Sequence, residues 1–159
     1  MSSTATLETF PSPRPEREVE ITISCPEFTS VCPMSGLPDF GEIRITYVPA
    51  DRCIELKSLK YYMVSYRDRG VFYEAATNQI LDDLVAACRP RRMTVVGDFT
   101  VRGGIKTVVT ASFDAASQKR SFDAAGQKRS FDAAARAGRS TPQARTGRSA
   151  RARTKPRKA

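Results

Sequence analysis

The sequence predicts an α+β domain in which one antiparallel sheet carries two helices on a single face. Three observations lead there. Segments 19–23, 43–48, 93–99 and 105–110 alternate apolar and polar residues or run as short β-rich stretches. Between 57 and 88, apolar residues recur at helical spacing in two successive segments. The resulting order of strand, strand, helix, helix, strand, strand packs most simply as two layers.

Each element has its own warrant. Residues 1–18 are rich in Ser, Thr and Pro and read as an extended, poorly ordered leader. Val19-Glu20-Ile21-Thr22-Ile23 alternates as a half-buried strand does, and a Cys- and Pro-bearing loop is expected over 24–40. Ile43 to Val48 alternates again and stops at Pro49-Ala50-Asp51. Leu59, Tyr62, Met63 and Tyr66 fall on one helical face, predicting a helix over 57–67 that Arg67-Asp68-Arg69-Gly70 ends. Phe72, Ala76, Ile80, Leu84 and Cys88 recur every fourth residue, and Pro90 closes that second helix. The last two strands meet at Arg102-Gly103-Gly104, a hairpin signal. From Ser112 a nonapeptide, Ser-Phe-Asp-Ala-Ala-Ser-Gln-Lys-Arg, recurs at Ser121 with Gly126 in place of Ser117 and starts again at Ser130, and 136–159 is Ala-, Arg-, Thr- and Lys-rich. Such a tail has little to bury and is expected to be disordered. The expected organisation is thus a leader (1–18), one folded domain (19–111) and a basic tail (112–159).

Charge follows the same division. Residues 1–111 carry 13 Lys and Arg against 14 Asp and Glu, whereas 112–159 carry 13 against 3. The net +9 and the pI near 9.8 therefore belong to the tail and do not mark a nucleic-acid-binding fold. Nonspecific contact of the tail with nucleic acid is the sharper reading of it, and a solvated extension the plainer one. No apolar run matches a membrane span and the first residues lack a signal-peptide pattern, so a cytoplasmic protein with reduced thiols is expected.

The chain contains no histidine, which removes the commonest general base and metal ligand. Without His or a second Cys pair, the Cys25–Cys32 spacing is unlike a structural zinc site, and no metal is expected. Cys88 belongs to a helix stripe and Cys53 has no motif around it. Cys32 differs, because it sits in a polar segment followed by Pro, Gly and Asp39, and a thiol beside a carboxylic acid can do nucleophilic chemistry without His. Glu55-Leu56-Lys57-Ser58-Leu59-Lys60-Tyr61-Tyr62 places two lysines three apart among aromatics, suited to a phosphate-bearing ligand or simply to a solvated helix face. Glu74 opens the second helix, where a carboxylate favours the dipole. It could equally accept two parallel hydrogen bonds from a guanine-like edge.

Together these clusters resemble the NADPH-dependent 7-cyano-7-deazaguanine reductase family of queuosine biosynthesis. The resemblance runs from about Cys25 to Ile105 through Cys25-Pro-Glu-Phe-Thr-Ser-Val-Cys32-Pro, Gly36-Leu-Pro-Asp39-Phe, Glu55-Leu-Lys57-Ser58-Leu-Lys60-Tyr-Tyr62, Phe72-Tyr-Glu74, Asn78 and Arg102-Gly103-Gly104-Ile105. It implies the tunnelling fold, ββααββ subunits that close into oligomeric barrels with ligand sites at their interfaces. It implies reduction of a nitrile to a primary amine through a covalent thioimide, with Cys32 as nucleophile and Asp39 as general acid. Glu74 and Tyr73, with Ile54, Glu55 and Leu56, would hold the substrate 7-cyano-7-deazaguanine, and Lys57, Ser58 and Lys60 would serve NADPH. Three positions depart from the usual family pattern: Tyr73 stands where His is common, Leu56 where Ser is common, and Ala76 where some members have Cys. An amidine-forming transferase of the same family acting on tRNA, and a noncatalytic basic RNA-binding protein, are the alternatives. Truncation near residue 111 separates the last, since a reductase would keep its activity.

Overall fold

The computed structural model describes residues 6–117. Its elements are β1 (Thr9–Pro11), β2 (Ile21–Val31), β3 (Pro38–Val48), β4 (Arg52–Ile54), α1 (Leu56–Val64), α2 (Tyr73–Cys88), β5 (Arg92–Phe99) and β6 (Val108–Asp114). The main sheet is antiparallel throughout, in the order β2-β3-β5-β6. With the helices between its two hairpins, this is the strand and helix order expected from the sequence.

Buried side chains of the sheet alternate with outward ones, as a sheet covered on one face requires. Ile43, Ile45 and Tyr47 of β3, Met93, Val95 and Phe99 of β5 and Ala111 of β6 point into the core. Ala76, Ile80, Leu84 and Cys88 of α2 and Leu59, Tyr62 and Met63 of α1 cover them, so both apolar stripes do what their spacing predicts. Phe72 falls outside the stripe; it precedes α2 and is exposed. Tyr62 donates to Asp83 (2.6 Å), tying the two helices together. The opposite face of the sheet is polar, with Ser24 donating to Glu42 and Arg44 paired to Glu42.

Several boundaries differ from expectation: the first strand of the sheet begins at Ile21 and not Val19, α1 ends at Val64 and not Arg67, and the last strand begins at Val108 and not Ile105. Residues 24–40 are mostly strand: β2 continues to Val31 and β3 begins at Pro38, leaving a short turn between them. A β-bulge makes this possible, because three steps along β2 from Cys25 to Phe28 oppose two along β3 from Ile43 to Gly41. Pro26, which lacks an N–H, sits inside that bulge. Within the expected leader, Thr9–Pro11 pairs with β4 as a small second sheet, and Arg52 donates to Thr9. Finally β6 runs to Asp114, so the first nonapeptide copy begins inside the sheet. The later copies and the basic tail lie outside the described residues.

Two ends close as the sequence signals predict. Arg89 adopts the left-handed conformation (φ 46°) and its N–H bonds Val85 O, ending α2 just before Pro90. Gly103 (φ 56°) and Gly104 (φ 80°) form the tight turn bridged by Arg102 and Ile105.

Candidate active site

The turn after β2 shapes the surroundings of Cys32. Cys32 N–H donates to Leu37 O, and Gly36 N–H returns to Cys32 O (both 2.9 Å). This fold turns the Ser35 hydroxyl and the Ser35 and Met34 N–H groups toward the sulfur, and these donors, Ser35's hydroxyl first, hold the Cys32 thiol below its ordinary pKa. Cys25 goes the other way: burial, with the Glu42 charge, pushes its thiol up. The two cysteines of one motif are thereby made chemically unlike.

Asp39, at the start of β3, is 3% exposed. Its Oδ1 accepts from Tyr73 Oη (2.8 Å) and from the Arg102 guanidinium. Tyr73 is held by its ring, which stacks on Phe99 with centroids 3.8 Å apart and planes 10° off parallel. Phe99 lies flat there because its neighbours are glycines: a Cβ on Gly41 would stand 3.1 Å from the ring, and one on Gly97 2.8 Å from it. Burial, then the bond to Asp39, raises the Tyr73 pKa, so the phenol stays a donor. The bond with Tyr73, supported by Asp39, keeps Arg102 protonated.

Cys32, Asp39, Tyr73 and Glu74 all line one cavity of about 280 Å³, with Phe72, Arg102 and Ile105 among the other walls. Glu74 is exposed in the first turn of α2, where the helix dipole favours its charge. Among the described residues, no hydrogen bond or ion pair engages its carboxylate, so it is free for a ligand's N–H groups. Four of the residues expected from the sequence are thus brought together.

The others lie elsewhere on the same subunit. Glu55 caps α1, its carboxylate accepting from Lys57 N–H (2.8 Å) and Ser58 N–H (2.7 Å), and these bonds lower its pKa. Ser58 is buried, not presented to a ligand: its hydroxyl donates to Glu55 O and accepts from Glu8 N–H. Ile54 is buried and its N–H donates to Tyr47 Oη. Lys57 lines a cleft of about 480 Å³ with Glu8, Glu55 and Tyr61. Lys60 and Leu56 line another of about 330 Å³ with Cys25, Phe28 and Arg67. Neither cleft shares a residue with the Cys32 cavity. Both lysines are exposed, and no described carboxylate pairs with either; Lys60 Nζ rests 5.0 Å from the Tyr61 ring centroid.

Sequence reasoning placed Arg102 in a turn and gave it no partner. Its ion pair with Asp39 arises because the β5–β6 loop folds back over the start of β3, where Thr100 N–H reaches Phe40 O. An arginine beside a glycine pair, facing no acid of its own loop, was the available signal.

A thiol of lowered pKa and a buried carboxyl thus line one cavity of an α+β domain, in a chain without histidine. A family model described as QueF-like protein matches residues 38–118, and the chain belongs to that family. It is 67% identical over 105 residues to the NADPH-dependent 7-cyano-7-deazaguanine reductase of Anaeromyxobacter dehalogenans (strain 2CP-C), covering 66% of this chain and 86% of that one. The protein of the same description from Chlorobaculum tepidum is 55% identical over 112 residues, 70% of this chain and 96% of that one. The crystal structure of the archaeosine synthase QueF-Like in the apo form superposes with a TM-score of 0.53 at 26% identity, covering 59% and 90% of the two chains.

Proposed function

We propose that this protein reduces the nitrile of 7-cyano-7-deazaguanine to the primary amine of 7-aminomethyl-7-deazaguanine, with NADPH as reductant, in queuosine biosynthesis. The observation that carries the reading is the meeting of Cys32, Asp39 and Glu74 in one cavity, in a chain so similar to reductases of that name. Glu74 accepts the ring N–H and exocyclic amine of the deazaguanine, which fixes the nitrile against Cys32. The thiol, poised toward thiolate by the turn, adds its sulfur to the nitrile carbon. One C–N π bond breaks as the C–S bond forms, and the proton ends on nitrogen. Asp39, an ion-paired acceptor beside the thiol, takes the Cys32 proton and hands it to that nitrogen, leaving a neutral thioimide. Reduction expels the thiolate and gives the imine, then the amine. Two molecules of NADPH, bound in turn, would each supply one hydride. Lys57 and Lys60, exposed and unpaired among the described residues, fit its phosphates, while Ser58 and Glu55 hold the helix end from which both lysines project.

In this reading the working form is a homo-oligomer whose neighbour brings its Lys57–Lys60 side, with Ile54, Glu55 and Leu56, to the Cys32 cavity. Two features support it: the two groups occupy separate clefts of one subunit, and exposed apolar residues lie in and beside the Cys32 cavity. Phe72 and Ile105 line it and are exposed, Ile105 at 72%, and Met34 and Leu37 stand exposed in the turn after Cys32. A rim of this kind marks a surface that a partner covers.

Mixing the protein with 7-cyano-7-deazaguanine and NADPH is expected to oxidise NADPH, and Cys32→Ala to abolish both turnover and the covalent adduct seen by mass spectrometry. No turnover by freshly reduced, oligomeric protein would overturn the reading. Because an archaeosine synthase shares the fold, adduct formation without NADPH oxidation would point to that transferase chemistry.

A further inference from the structure

Among the described residues, one buried side-chain polar atom has no hydrogen-bond partner in the protein: Ser30 Oγ. Ser30 is 0% exposed. Buried hydroxyls without partners are uncommon and call for a specific reason. Ser30 stands directly opposite Asp39 in the β2–β3 ladder. Directly opposed residues of an antiparallel pair share a face, with Cβ atoms about 4.5–5.5 Å apart. The orphan hydroxyl is therefore the cross-strand neighbour of the carboxyl group assigned the proton transfer.

The bonding of Asp39 is one-sided. Both its donors, Tyr73 and Arg102, land on Oδ1. Oδ2 has no bond within the described residues, and it is the oxygen left to carry a proton. A serine hydroxyl is at once a donor and an acceptor. It can donate to an ionised carboxylate and, after a bond rotation, accept from a protonated one. Arg102 has no acceptor, and the Tyr73 hydroxyl is already committed to Oδ1. The Ser30 hydroxyl is engaged with no other group and can serve Oδ2 in both states.

We propose that Ser30 is a positioning residue for Asp39, its hydroxyl following Oδ2 through ionised and protonated states during proton transfer to the nitrile nitrogen. This rests on the reading of Asp39 as the proton-transferring group. The other titratable or charged groups facing the site are Cys32 from the turn, Tyr73 and Glu74 from α2 and Arg102 from the β5–β6 loop. All are unchanged in the variants that test it.

The experiment follows thioimide formation by mass spectrometry, with 7-cyano-7-deazaguanine and no NADPH, across pH in the wild type, Ser30→Ala and Ser30→Thr. Ser30→Ala is expected to keep the wild-type melting temperature or exceed it, since it deletes an unpaired hydroxyl. Its adduct forms about tenfold more slowly, with a displaced pH profile, while substrate affinity holds. Ser30→Thr, retaining the hydroxyl, recovers part of the rate. An unchanged rate and pH profile in a folded Ser30→Ala overturns the proposal, as does a melting temperature several degrees lower, which would make the hydroxyl a structural anchor. Absence of adduct in the wild type would instead sink the underlying reading of the site.

Discussion

At Cys32, the lowered thiol pKa comes from a backbone turn and one hydroxyl, in a chain that has no imidazole to offer. Three hydrogen-bond donors around the sulfur favour the thiolate, while the nearby Asp39 charge opposes it. The sign is clear: a lowered thiol pKa leaves more thiolate near neutral pH than an ordinary cysteine has. In an iodoacetamide titration Cys32 is expected to alkylate at lower pH than Cys25, whose thiol is pushed up by burial. Ser35→Ala is expected to move the Cys32 profile upward and slow alkylation several-fold at neutral pH. A profile unmoved by that substitution would show the backbone donors to be sufficient. Tyr73 is the other informative residue. Its phenol donates to Asp39 and its ring stacks on Phe99. Tyr73→Phe keeps the stacking and removes one of two donors to Oδ1. It is expected to reduce the adduct-forming rate more than it weakens substrate binding, measured as separate effects on kcat and KM.

Among the elements, the short run Gly41, Gly97, Phe99 and Tyr73 shows how the sheet positions the acid. Gly97 has no room for a side chain: a Cβ would meet Thr77 Oγ1 at 2.7 Å and the Phe99 ring at 2.8 Å. Thr77 is itself fixed, its hydroxyl donating to Tyr73 O. Gly97→Ala is expected to destabilise the fold by about 1–3 kcal/mol, as overpacked cores do. It should also tilt Phe99 beneath Tyr73, so activity at temperatures where the variant remains folded should fall as well. Thermal melts and turnover measured together check both. These elements also show what was legible in advance. Helical stripes such as Ala76–Ile80–Leu84–Cys88 state their burial in their spacing, and the Gly-Gly turn announces its hairpin. The length of β2 and β3 was hidden because Pro26, Pro33, Pro38 and Gly36 suggest a loop, and the bulge that reconciles them with pairing has no periodic signature. The pairing of β1 with β4 was hidden too, since three-residue strands carry too few residues to alternate. At the site, the types Cys, Asp and Glu could be read directly, whereas the Arg102–Asp39 pair depends on how a distant loop folds back.

Across the whole molecule, the thiol and the exposed lysines lie in separate clefts, and in the proposed reading a neighbouring subunit brings them together. Mixing inactive Cys32→Ala subunits with inactive Lys57→Ala/Lys60→Ala subunits, after dissociation and reassembly, is expected to restore part of the activity. Each hybrid interface can then combine an intact thiol with intact lysines from the neighbour. No recovery, with mixed oligomers demonstrated by native mass spectrometry, would mean that one subunit supplies both. The bulge between Cys25 and Phe28 has a consequence at this scale as well. It works as a phase correction: upstream and downstream of it, odd and even positions of β2 exchange faces. Were β2 to alternate regularly at its present length, without the bulge, Phe28 and Ser30 would fall on the polar face of the sheet and Thr29 and Val31 on the buried one. The hydrophobic content of the chain would hardly change, yet the acid would lose its cross-strand neighbour. The one extra residue of the bulge is therefore what lets Cys25 and Ser30, an odd number of positions apart, share the inner face of a single strand.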